Sequence, residues 1–354
     1  MFLHRVGSDE SHPGLMPLLR VYDSLAGYWS RSSRHRSSSA TAHLPIWHAD
    51  VRKFVVCRTN RASSGYRFRH IFPSLWIPDL LCVFLFRLSY IHADLSLAGV
   101  WSRSSMKRLE ANENWTLFDP ADVRGLTDLV GDAFVAAYER FERTGNATAS
   151  LPARMLWDIV SGALRESGTP FLMYSDNING TPLPGISFTV SLMSSVVARN
   201  NQSHLGIIKS ANLCTEIVQY SSTIETAVCT LGAVCLPQFV RDDNTIDYDD
   251  LHRVTKIIVR NLDKLLDNGA YPTTESAVSA FGTRSIGVGV LGLADLFAQI
   301  EIPFTSQEAQ DINVNISETV YHAALECSCE LTEAHGPYDA WIGSPASKIG
   351  RAHV

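Results

Sequence analysis

The 354-residue sequence offers no long uninterrupted apolar run, no excess of positive charge and no cysteines at metal-binding spacing. A membrane-spanning helix needs about 20 mostly apolar residues. The most apolar stretch, LCVFLFRLSYIHADL from Leu81, is broken by Arg87, His92 and Asp94, so no membrane partner is expected. The net charge of −6 gives no electrostatic reason to expect nucleic acid either. The local exception, RSSRHR from Arg31 to Arg36, reads as a solvated loop. The cysteines (Cys57, Cys82, Cys214, Cys229, Cys235, Cys327 and Cys329) are scattered, and no cleavable secretory segment precedes them. That excludes a disulfide scaffold and makes a reducing cytoplasm the expected compartment. Neither CxxC nor paired Cys/His spacing occurs, so no metal is expected on this chain. Cys327 and Cys329 fall in a helical pattern and read as small buried thiols.

What is present is an ordinary hydrophobic content of 45%, enough for one large core or two domains. Between Asp122 and Arg143 apolar residues recur with a period near 3.6, and Gly145 follows as a stop. Pro152 opens a second helical pattern that ends at Gly168. A third runs from Asp249 to Gly269 on a stripe of Leu251, Val254, Ile258, Leu262 and Leu265, and a fourth from Ser306 to Glu333 before Gly336-Pro337. Short β-branched segments at 205–209, 214–220 and 226–239 lie between them. Helices alternating with strands predict an α/β fold with a largely parallel sheet or barrel, whose chemistry gathers at strand ends.

Two patterns compete for the chemistry. Gly287 to Gly292, GVGVLG, matches GxGxxG, with Asp311 about twenty residues on. The dinucleotide reading needs a strand before the first glycine, and FGTRSI does not supply one. Close backbone packing is the alternative. In KSANLCTEIVQYSS, Asn212, Cys214 and Glu216 stand two apart, so a strand here would place amide, thiol and carboxylate on one face. The bland alternative is a buried thiol beside a solvated Glu. Cys229, in ETAVCTLGAVC, can face the same space from an adjoining strand. No histidine lies in the stretch to hold a thiolate, so redox or radical work suits the group better than acyl transfer.

SANLCTEIVQYSS followed by ETAVCTLGAVCL resembles the catalytic finger loop and following strand of the large, alpha subunit of class I ribonucleotide reductase. The likeness continues through GLMPLLRVYD, LPIWHADVRKF, SLWIPDL, MKRLEANENWTLFDP, GTPFLMYSDN, TKIIVRNLDKLLD, RSIGVGVLGLADLF and GPYDAWIGSPASK, in the family's order over residues 14–348. It implies part of a ten-stranded α/β barrel of the ribonucleotide reductase and glycyl-radical enzyme type. The implied reaction is reduction of ribonucleoside diphosphates to deoxyribonucleotides for DNA synthesis. By position in the motif, Cys214 is the thiyl radical that removes the ribose 3′ hydrogen, Glu216 the base for the 3′ hydroxyl, and Asn212 the amide that holds the ribose hydroxyls. Cys229 is one member of the redox disulfide pair.

The resemblance also implies partners. These are a small subunit carrying a metal and tyrosyl radical, thioredoxin or glutaredoxin as reductant, ATP and dNTP effectors, and a second copy of the full-length chain. No cofactor is expected on this chain itself. Arg36 is the one basic residue in register with the family's effector-coupling loop, whose glycines are replaced here by SRSSRHRSS. Residues 81–105 and 180–198 interrupt blocks that are continuous in the family and read as insertions, candidate translated introns. Residues 349–354, IGRAHV, read as a non-native tail. The family's second redox cysteine and radical-relay tyrosines have no counterpart among the matched blocks. The competing expectation is therefore a truncated, catalytically inactive fragment that acts at most as a binding protein.

Overall fold

The computed structural model describes residues 14–32, 38–81, 107–179 and 201–349. Arg36, residues 82–105 of the first interruption, the whole of 180–198 and residues 350–354 lie outside the described residues. The chain divides into two compact units, residues 1–182 with 207–218 and residues 183–206 with 219–354.

The first unit opens with helix α1 (Leu15–Ser32), whose Leu15, Met16, Leu19 and Ala26 are buried. Its inward face carries a carboxylate, Asp23. The side chain accepts backbone N–H bonds from Arg69, His70 and Ile71 at 2.9, 2.7 and 3.0 Å. Those amides lead into strand β2 (Ile71–Ile77), which pairs in parallel with β1 (Ala40–Pro45) on one side. On its other side it pairs in parallel with β5 (Phe171–Tyr174). Leu75 and Ile77 on the central strand are fully buried, as expected of a strand flanked on both edges.

Between β2 and β5 the chain forms an antiparallel pair, β3 (Asn114–Phe118) and β4 (Ala147–Pro152), joined by helix α2 (Gly131–Arg143). Tyr138 of α2 stacks on Trp115 with ring centroids 4.6 Å apart and meets Phe118 edge-on at 5.3 Å. Its buried hydroxyl donates to the Thr116 carbonyl and accepts the Thr116 N–H, both at 2.8 Å. A polar tip in a dry core is thereby satisfied. Helix α3 (Ala153–Ser167) begins after Pro152 and ends at Gly168 in the left-handed conformation, φ 69°. The Pro and Gly signals mark both ends of it. The expected helix from Asp122 is shorter: Val123 to Leu129 forms turns and a 3-10 segment, and the α-helix starts only at Gly131.

In the second unit β6 (Thr230–Cys235) pairs in parallel with β7 (Ile286–Leu291). Helix α4 (Tyr248–Asn268) packs on β6 where Gly232 has no side chain; a Cβ there would stand 3.2 Å from Ile258. The buried face of α4 is Leu251, Thr255, Val259, Leu262 and Leu266. Leu265, expected in the core, is instead exposed, while Val254 and Ile258 flank the stripe. Helices α5 (Thr274–Thr283) and α6 (Leu293–Gln299) flank β7 in sequence. Helix α7 (Gln307–His335) starts at the Ser306 cap and stops at Gly336, as the sequence predicts. It runs in the same direction as α4, because contacts advance together: His252 meets Glu326 and Arg260 meets Glu330.

The unit thus runs β6–α4–α5–β7–α6–α7, with helices after each of two parallel strands, and the α/β expectation holds. Among the described residues the sheets are open, of three, two and two strands. GVGVLG occupies β7 itself, so its first glycines lie within the strand and cannot form a turn after it. Gly292, at φ 74°, closes against Pro237, where a Cβ would lie 2.7 Å from the ring. Close packing, not a pyrophosphate cradle, accounts for these glycines. Of the expected strands, 205–209 and 214–220 contain none, and 226–239 contains only β6. No described helix is long and apolar enough to cross a membrane.

Candidate active site

Asn212, Cys214 and Glu216 lie in a tight turn of the first unit, not on a strand. Ala211 and Val218 form an antiparallel bridge, and the chain reverses between them. The Asn212 N–H donates to the Ile217 carbonyl at 3.1 Å and the Thr215 N–H to the Asn212 carbonyl at 3.2 Å. The Asn212 Oδ1 accepts the Ile217 N–H at 3.0 Å. Thr215 adopts φ 68°, a left-handed backbone that no strand contains. The alternation in the sequence therefore reflects a turn that throws Cys214 and Glu216 outward. Both are exposed, and Asn212 is half-buried.

Two residues of β1, Thr41 and His43, hold the turn from beneath. Standing two apart, they present to one face of the sheet. Thr41 Oγ1 donates to the Leu213 carbonyl at 2.7 Å. His43 Nε2 lies 3.1 Å from the Ala211 carbonyl and 3.2 Å from the Ala211 nitrogen. One nitrogen cannot donate and accept at once, so the tautomer decides which bond forms. His43 Nδ1 is buried without a hydrogen-bond partner, and the ring meets Trp76 edge-on. Burial holds the His43 pKa below its ordinary value, partly offset by the Ala211 carbonyl. The neutral imidazole is the form this site favours.

Just upstream of the turn, Asn179 exchanges two bonds with Ile208, its Nδ2 donating at 2.9 Å and its Oδ1 accepting at 2.7 Å. Lys209 pairs with Asp128. The segment entering the turn is thus fixed by three separate elements. A thiol on such an exposed tip, beside a carboxylate, can give up a hydrogen atom and take one back as the thiyl, or exchange with a disulfide, and the carboxylate can accept a proton. The Thr41 and His43 anchors are about 170 residues from the turn in sequence, and nothing local to the turn announces them.

Cys229 belongs to the second unit, half-buried at the entry to β6, its thiol 3.9 Å from the Thr230 carbonyl. Of the helical pair, Cys327 is buried with its thiol 3.4 Å from the Lys256 carbonyl, and burial raises its pKa. Cys329 is exposed, contrary to expectation, because two positions along a helix turn a side chain through about 200°. A cavity of about 720 Å³ in the first unit is lined by Arg20, Asp23, Arg31, Arg67, Arg69 and His70 and by none of the turn residues.

Fold and turn together define an α/β protein with parallel strands and an exposed thiol on a turn held over a strand. A family model described as ribonucleotide reductase, barrel domain, matches residues 5–86 and 91–353. The ribonucleoside-diphosphate reductase large chain of Cryptosporidium parvum is 39% identical over 343 residues, covering 97% of this chain and 38% of the relative. That of Schizosaccharomyces pombe is 38% identical over 342 residues, covering 97% and 37%. The large subunit of Caenorhabditis elegans is 38% identical over 342 residues, covering 97% and 38%. The chain belongs to the ribonucleotide reductase family and spans well under half the length of these relatives.

Proposed function

We propose that the Asn212–Glu216 turn carries the ribose chemistry of a ribonucleoside-diphosphate reductase. The observation that supports this reading is a thiol, a carboxylate and an amide displayed by one pinned turn in a chain of that family. In this reading the Cys214 thiyl takes the 3′ hydrogen, Glu216 accepts the 3′-hydroxyl proton and later returns it, and the 2′ hydroxyl leaves as water on a proton from one of the redox thiols. Two thiols supply the electrons and close to a disulfide, after which Cys214 returns the 3′ hydrogen. Cys229 is one of those thiols. Asn212 acts through Nδ2 on the ribose, since its Oδ1 already closes the turn.

Radical generation is cofactor work and is assigned to a small subunit, with thioredoxin or glutaredoxin restoring the dithiol. ATP and dNTP effectors, an Arg36 contact in the coupling loop, assembly of two large subunits and a cytoplasmic setting complete the reading. Its domain boundaries are 14–348, with 81–105 and 180–198 as insertions and 349–354 as a foreign tail.

The test is a chimera in which residues 207–235 of this chain replace the matching segment of the Schizosaccharomyces pombe large chain. With the yeast small subunit it should reduce CDP, and Cys214→Ser in the chimera should abolish reduction while nucleotide binding persists. Turnover by the Cys214→Ser chimera would remove Cys214 from its role.

A further inference from the structure

Outside the thiol site, α4 brings a histidine to a histidine and a carboxylate of α7 that lie about seventy residues further along the sequence. His322 and Glu326 stand four apart on α7 and so share one face. His252 reaches them from α4. Its Nε2 lies 3.0 Å from Glu326 Oε2, and its ring centroid is 5.3 Å from that of His322. One ligand atom from each residue falls within 4.8 Å of the other two. His322 and Glu326 are exposed and His252 is half-buried, so the cluster is open to solvent on one side.

Two imidazoles converging on one carboxylate do more than an ion pair requires. An ion pair with Glu326 uses one histidine and leaves the second beside it without a charge to meet. Two neutral imidazoles and a carboxylate are instead a donor set for a borderline divalent ion, bound at about 2.0–2.2 Å with a fourth position left to water. Closing ligand atoms from within 4.8 Å to a tetrahedral edge of about 3.4 Å takes side-chain rotation, chiefly of the exposed His322 and Glu326.

Lys256 is the competitor, its Nζ 3.3 Å from Glu326 Oε1. It also pairs with Glu330 at 2.5 Å, so it keeps a partner when Glu326 turns to a metal. A hard cation is a poor match, because imidazole nitrogen does not replace oxygen around magnesium or calcium.

We propose that His252, His322 and Glu326 form a binding site for a zinc-class divalent ion that clips α4 to α7. The paired helices already run in one direction with their ion pairs in register, and the metal adds a cross-link at one end of that seam. No short-range cysteine or histidine spacing betrays the site, which is why the sequence alone predicts no metal.

The test is titration of the full 354-residue chain with zinc sulfate, followed by calorimetry and by the thermal unfolding midpoint. Wild type should bind one equivalent that the double variant His252→Gln/His322→Gln binds at least about tenfold more weakly. The midpoint should rise with zinc in wild type but not in the variant. Magnesium should do neither. Both substituted side chains reach solvent, and circular dichroism of the variant checks that the fold persists. Absence of saturable zinc binding in wild type overturns the proposal. So does equal binding and equal thermal gain in the double variant, which would assign the zinc to exposed thiols such as Cys214, Cys235 or Cys329.

Discussion

The Oδ1 of Asn212 accepts the N–H of Ile217 across the turn that displays Cys214, at 3.0 Å. The residue proposed to grip the ribose is therefore also the clasp of its own loop. Its two roles use different atoms, and substitution separates them. Asn212→Asp keeps the acceptor but loses the Nδ2 donors; Asn212→Ala loses both. Hydrogen exchange at Ile217 should be nearly unchanged in Asp and accelerated about fivefold in Ala, matching a hydrogen bond of roughly 1 kcal/mol. Both variants should lose ribose reduction in the chimera. Equal exchange in Ala and wild type would show that the clasp contributes nothing.

Thr215 follows Cys214 at φ 68°, and its N–H closes the turn on the Asn212 carbonyl. Asparagine tolerates this conformation better than a β-branched residue does. Thr215→Asn should leave stability within about 1 kcal/mol of wild type. Proline fixes φ near −65° and lacks the N–H, so Thr215→Pro should dissolve the turn. The check is protection of the Ile217 amide together with the rate at which a maleimide labels Cys214. Retained protection in the proline variant would contradict the geometry.

The helices and the site differ in how openly the sequence declares them. Helix α3 is bounded by Pro152 and Gly168 and α7 by Ser306 and Gly336, signals that act within one turn of the chain. Periodicity finds such elements because each residue's face follows from its neighbours. The 212–216 turn defeats it, since a two-residue alternation looks the same in a strand and in a reversal. What decides between them is a left-handed Thr215, an Asn212 side chain bonded five residues ahead, and anchors from Thr41 and His43. None of these is periodic. The family likeness is what singles out Asn212, Cys214 and Glu216, while the backbone that presents them follows from contacts that no local pattern carries.

Arg108 and Glu142 form a two-pronged pair, with both N–H···O contacts at 2.6 Å, and Glu142 also accepts from Thr116 Oγ1 at 2.6 Å. Burial alone would raise the Glu142 pKa, but these bonds and the Arg108 charge outweigh it and hold the carboxyl below its usual range. A depressed folded pKa stabilises the protein above the unfolded value of about 4.3, and that contribution is lost as pH falls through the folded value. Glu142→Gln leaves Arg108 only the more exposed Glu113 carboxylate, 3.8 Å away, and should destabilise at pH 7 by about 2 kcal/mol. The deficit should shrink in urea titrations run progressively below about pH 4.3. A deficit constant from pH 7 to pH 3 would show that charge pairing is not its cause.

Asp79 presents the opposite sign. Burial, and secondarily the charge of Asp176, push its pKa up to about 6. The Asp176 carboxylate is already engaged, its Oδ2 accepting the Asp79 N–H at 2.6 Å and its Oδ1 the Gly131 N–H at 2.7 Å. A raised folded pKa means that the folded state is favoured while Asp79 is protonated, and that this advantage disappears as pH rises through about 6. Above that point the ionised side chain opposes folding. Asp79→Asn retains the shape without the charge and should stabilise the first unit at pH 8 by about 1–3 kcal/mol. The gain should fall away between pH 6 and pH 4, where the wild-type carboxyl becomes neutral. Urea midpoints of the two proteins across that range measure it directly. A gain that stays the same at pH 4 and pH 8 would place the effect in packing and not in the Asp79–Asp176 repulsion.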